Sequence, residues 1–147
     1  MDPQLIYLPL MWACVVLFLF RVLGQVYVTL YAYVALPSPR WLPPMREWYS
    51  GLLPFYLLLP AQLVILALMI IVAYDYTRED GYLFVTNALR GTVLIGLAIA
   101  YLSAMVSRYV ITMARHPERR WLGGTIPIVL HCVLAAFLFM VGSYRFF

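Results

Sequence analysis

The sequence predicts an all-α integral membrane protein: a four-transmembrane-helix bundle of two helical hairpins, with both termini on the outer side. Three observations carry this reading. The 147-residue chain is 65% hydrophobic and only 11% charged, against roughly 25% charged in a soluble domain. Four apolar stretches, around residues 10–36, 52–74, 91–113 and 125–144, are each long enough to cross a hydrocarbon core, which takes about 20 helical residues. The stretches are continuously apolar and do not alternate, which excludes a β-barrel. Residues 1–147 therefore read as a single transmembrane domain, with mean hydropathy +0.91.

The first helix is expected over about 9–36. It opens near Pro9, a residue tolerated in a first helical turn, and closes before Pro37-Ser38-Pro39. The apolar stretch runs far past signal-peptide length and follows MDPQ with no basic region, so no cleavable leader is expected. The linker PSPRWLPPMREW, rich in proline and tryptophan, should lie irregularly at the interface. The second helix is expected over about 51–75, with Pro60 in its interior. Pro60 removes a backbone hydrogen bond, so a kink is expected there. A short acidic loop, DYTREDG, leads to a third helix over about 83–113. Gly123-Gly124 then breaks the chain. Thr125 can cap a fourth helix over about 125–145, with Pro127 in its first turn.

Orientation follows from the arginines, which supply all ten basic residues. Arg40, Arg46, Arg108, Arg115, Arg119 and Arg120 fall on one side. Arg78, Arg90 and Arg145 fall on the other, with Asp2, Asp75, Glu79 and Asp80. The positive-inside rule puts the first set in the cytoplasm and both termini outside, as expected for a bacterial inner membrane. Trp41, Trp48, Tyr49, Tyr109 and Trp121 then form an inner aromatic belt. Tyr7, Trp12, Tyr74, Tyr76, Tyr82 and Tyr144 form an outer one.

Arg21 is the most informative residue within the spans. It sits near the middle of the first apolar stretch, and no acidic residue lies at the same depth. A guanidinium keeps its charge, and at mid-bilayer it costs about 2.5–3.5 kcal/mol or more. Compensation must come from neutral polar groups, snorkelling, a bound anion or an acid on another protein. Within the chain, Asp75 at the outer end of the second helix is the nearest acid it could reach. Gln25 shares a face with Arg21 at i, i+4. Gln62, Tyr101 and His131 fall at similar depth on the other three helices. The expected ligand- or partner-binding set is therefore Arg21, Gln25, Gln62, Tyr101 and His131. The RHPERRW segment, with Arg115, Arg119, Arg120 and Trp121, is the expected contact with lipid headgroups.

Enzyme classes are poorly served. There is no paired intramembrane acid, no Ser-His-Asp set and no glycine-rich phosphate loop, so no catalytic residue is assigned. Cys14 and Cys132 stand apart inside apolar helices and read as small buried hydrophobes. His116 is the only histidine besides His131, and it lies in the RHPERRW segment. No metal site and no complete haem site is expected within one chain. A haem or quinone shared with another subunit is compatible with these residues. Gly96, Ala100 and Ala104, followed by Ser107, form a small-residue stripe on the third helix suited to close packing.

Three functions fit these residues. The first is a small integral subunit of a larger respiratory or photosynthetic membrane complex, without catalysis of its own. Its polar midplane would meet a partner subunit, a quinone or a prosthetic group. The second is a stand-alone oligomeric binder or carrier of a lipophilic or anionic ligand. The third is a small membrane enzyme acting on a lipid-soluble substrate. Membrane lipids and other membrane subunits, or a second copy, are the expected partners; nucleic acid is not.

Overall fold

A computed structural model of the chain describes residues 3–34, 55–78, 88–116 and 125–143. They form four helices: α1 (Pro3–Val34), α2 (Phe55–Thr77), α3 (Ala88–Arg115) and α4 (Thr125–Ser143). Three contain a segment long and apolar enough to cross a membrane: Ile6–Leu30, Leu57–Thr77 and Leu89–Arg115. The apolar segment of α4, Ile128–Ser143, is shorter. Its described residues are all helical or close a helix, and these lengths and compositions mark a membrane protein.

Several expected boundaries move. α1 begins at Pro3, so Pro9 lies inside it and does not open it. Pro3 occupies the first helical position, where the missing N–H costs nothing, and Pro9 still falls close to the N-terminal end. α2 begins at Phe55 and continues through Pro60 to Thr77, two residues beyond the expected end. α3 extends to Arg115. The linker around Pro37–Tyr49, the loop after Arg78 and the stretch containing Arg119, Arg120 and Trp121 lie outside the described residues.

α1 is the centre of the packing. It contacts α2 on one side and α4 on the other, and α4 in turn carries α3. α2 and α3 make at most marginal contact, so the bundle is open between them. The buried positions of α1 are Met11, Cys14, Val15, Phe18, Arg21, Val22, Gln25 and Val28. That spacing of three and four marks one continuous packed face along the helix. Leu66, Met69, Ala73 and Tyr76 of α2, with Phe137 and Met140 of α4, complete the core cluster. α3 adds nothing to this cluster; it meets only α4 closely.

Polar ties fix the register. Trp12 Nε1 donates to Thr77 Oγ1 at 3.3 Å, joining the start of α1 to the end of α2. Tyr76 donates its hydroxyl proton to the Val141 carbonyl at 3.2 Å, joining α2 to α4. Tyr76 is buried, so it ties two helices together and is not a member of an outer aromatic belt as the sequence suggested. Its apolar ring fills core space while its hydroxyl satisfies a carbonyl. Thr77 and Ser143 each bond back to a carbonyl one turn earlier, which removes exposed hydroxyl donors from an apolar setting.

The α3–α4 seam depends on one glycine. A Cβ on Gly142 would lie 2.9 Å from the Gly91 carbonyl oxygen and from Ile95 Cγ1. Only hydrogen fits, and the two backbones approach closely there. A Cβ on Gly96 meets nothing within 4 Å. Gly96, Ala100, Ala104 and Ser107 are all exposed. The small-residue stripe thus faces outward, while α3 packs inward through Gly91 and Ala98.

Candidate functional site

The buried seam of α1 carries its polar pair inward. Arg21 is 5% exposed and Gln25 0%; opposite them on α2, Gln62 is 7% exposed. With Trp12 facing Thr77 in an antiparallel pair, Gln62 comes about level with Tyr27, roughly half a turn from Gln25. The Gln25 backbone carbonyl accepts from Thr29 Oγ1 at 2.7 Å. The amide oxygen and nitrogen of Gln25 and the amide oxygen of Gln62 are buried and have no hydrogen-bond partner among the described residues. Such groups normally cost about 1–3 kcal/mol each when unsatisfied. They keep hydrogen-bonding capacity in the middle of the bundle.

Asp75 belongs to the Trp12 end of the bundle. By the same register it lies roughly two turns from the level of Arg21.

Tyr101 and His131 form a second polar element across the α3–α4 seam. The Tyr101 hydroxyl is hydrogen-bonded to His131 Nδ1. The rings meet edge to face, with centroids 5.4 Å apart and an interplanar angle of 85°. Both residues are half-buried. Counting equal distances along the helices from Trp12, Thr77, Val141 and Gly91 brings Arg21, Tyr101 and His131 to one level.

No family model, curated protein or solved structure matches the chain. Its chemistry is read from these residues alone.

The sequence-predicted residues thus divide into two groups. Arg21 and Gln25 on α1 and Gln62 on α2 are buried. Tyr101 and His131 bond to each other on the α3–α4 side. Among the remaining expected contacts, Arg115 ends α3 and is exposed, where a headgroup could meet it. Arg119, Arg120 and Trp121 lie outside the described residues. Among the described residues no group of three or more His, Cys, Asp and Glu gathers as a metal site.

One feature is absent from the sequence-based set. A cavity of about 420 Å³ opens between α2 and α3, over α4, and among the described residues Tyr101 is the one polar side chain lining it. Apolar residues at i, i+3 and i+4 announce a helix face, but nothing in them says that two faces fail to meet.

Proposed function

We propose that the chain is a small, non-catalytic integral subunit of a larger membrane complex, respiratory or photosynthetic in kind. In this reading it crosses a bacterial inner membrane four times, with both termini outside. The antiparallel ties from α1 to α2 and from α3 to α4 support an up-down-up-down path. The second arginine-rich connection, between α3 and α4, would then share the cytoplasmic side with the first.

The outward stripe on α3 carries the proposal. Gly96, Ala100 and Ala104 recur every four residues and face away from the chain's own helices. Lipid gains nothing from small residues, whereas a helix from a partner gains close backbone approach and van der Waals contact. Ser103 and Ser107 lie on exposed positions beside it and offer hydroxyls to the same partner. The buried amides of Gln25 and Gln62 add hydrogen-bonding capacity for a polar group delivered by a partner, quinone or prosthetic group.

Gly96→Ile tests this reading, because the position is exposed and a Cβ there meets nothing within 4 Å. The wild-type protein, gently solubilised from its native membrane, should co-purify stoichiometrically with other membrane chains in native mass spectrometry. Gly96→Ile should fold with unchanged helicity and lose those chains. A wild-type protein that flies only as a monomer or a symmetric homo-oligomer contradicts the subunit reading and favours the stand-alone binder.

A further inference from the structure

We propose that the cleft between α2 and α3 binds a neutral lipophilic carbonyl compound or its alcohol, of the quinone and quinol type, with Tyr101 recognising the ring oxygen. The proposal rests on the cleft and the Tyr101–His131 pair, and it stands whether or not the chain is a subunit of a larger complex.

The cleft has the dimensions of a small-molecule site. Its volume of about 420 Å³ falls within the range of roughly 300–1,000 Å³ typical of ligand pockets. Leu68 and Val72 of α2, Leu97 of α3, and Leu134 and Phe137 of α4 supply apolar walls. Because α2 and α3 hardly meet, the opening lies on the side of the bundle, along the membrane-crossing segments. A ligand dissolved in the bilayer enters there without crossing water. A charged headgroup would have to be desolvated against these walls with no charge on the lining to receive it, which disfavours a carboxylate or phosphate.

The polar pair adds a specific property. A neutral imidazole has one N–H and one bare nitrogen, and the two exchange roles between tautomers. With Nδ1 bare, Tyr101 donates to it, and the phenol oxygen is left to accept a hydrogen bond from a ligand hydroxyl. With Nδ1 protonated, His131 donates to the phenol oxygen, and the phenol proton is free to turn toward a ligand carbonyl. One tyrosine can therefore satisfy the same ligand oxygen as C=O or as O–H. Sterol-like alcohols present only the second form and ketones only the first. A quinone and its quinol are a bilayer-soluble pair presenting both.

The test uses full-length protein in nanodiscs, titrated with decylbenzoquinone and separately with decylbenzoquinol, following quenching of intrinsic tyrosine and tryptophan fluorescence. Both probes should bind saturably with affinities within a few-fold of each other. Tyr101→Phe keeps the ring and should weaken both by roughly two- to tenfold, the worth of one neutral hydrogen bond. Leu134→Trp fills the cleft and should abolish saturation, with circular dichroism reporting retained helicity. Gly96→Ile should bind the probes as the wild type does, which separates this site from the partner face. Equal binding by wild type, Tyr101→Phe and Leu134→Trp overturns the proposal. So does displacement of the quinone by palmitate at equal concentration, which would mark an unspecific acyl-chain groove.

Discussion

Residues inside this bundle are distinguished by what can stand beside them. Gly142 stands against the Gly91 carbonyl and Ile95, so any side chain there forces α3 and α4 apart. Gly142→Leu should lower stability by about 1–3 kcal/mol, the usual cost of overpacking. The check is a lower thermal midpoint in detergent, with Gly96→Leu as the control that leaves it unchanged. Gln25 behaves differently. Its amide is fully buried with no partner among the described residues, so an apolar replacement of similar length removes a liability. Gln25→Leu should leave the isolated chain as stable as wild type or more so, by up to about 1–3 kcal/mol. A loss of thermal stability would instead mean that the amide is bonded within the chain. Arg21→Leu should likewise leave the helicity measured by circular dichroism intact while weakening association with a ligand or partner; full competence would make Arg21 a purely structural residue. The depth of Arg21, Gln25, Gln62, Tyr101 and His131 was readable from position along each apolar stretch. The bond between Tyr101 and His131 was not, because it depends on the rotation of α3 and α4 about their own axes.

At the scale of the element, α3 differs from its neighbours. α1 and α2 contribute most of the core, whereas α3 touches the rest of the chain almost wholly through α4. The small-residue spacing of Gly96, Ala100 and Ala104 was legible in the sequence, but the direction it faces was not. Lipid tails are as apolar as leucine, so hydropathy does not separate a lipid-facing side from a helix-facing one. The same physics explains the boundaries: caps and prolines suggested where helices start, yet a helix in lipid continues as long as its backbone bonds are satisfied. The tie from α2 to α4 through Tyr76 is expected to be modest. Tyr76→Phe should cost about 0.6 kcal/mol, the average for a hydrogen bond between membrane helices, seen as a small drop in thermal midpoint with the fold retained. A loss of several kcal/mol would mean that the α2–α4 contact organises the bundle.

The whole molecule is an open row of helices, α2–α1–α4–α3, with a lateral cleft where a closed four-helix bundle would have a fourth seam. Composition and span length gave the membrane class and the helix count directly. The openness came only from the contacts, since every helix here is apolar on most of its circumference. The short apolar segment of α4, Ile128–Ser143, still runs antiparallel to α3 along the level shared with α1. Reporter fusions after residues 45 and 118 should therefore report the same side of the membrane, and fusions at the two ends the opposite side. The central proposal is that another membrane chain seats on the outward face of α3. Native mass spectrometry of wild-type and Gly96→Ile protein from the same membrane tests it most directly. Stoichiometric partner chains on the wild type and none on a fully helical Gly96→Ile is the predicted result. Identical partner content in both, or none in either, contradicts it.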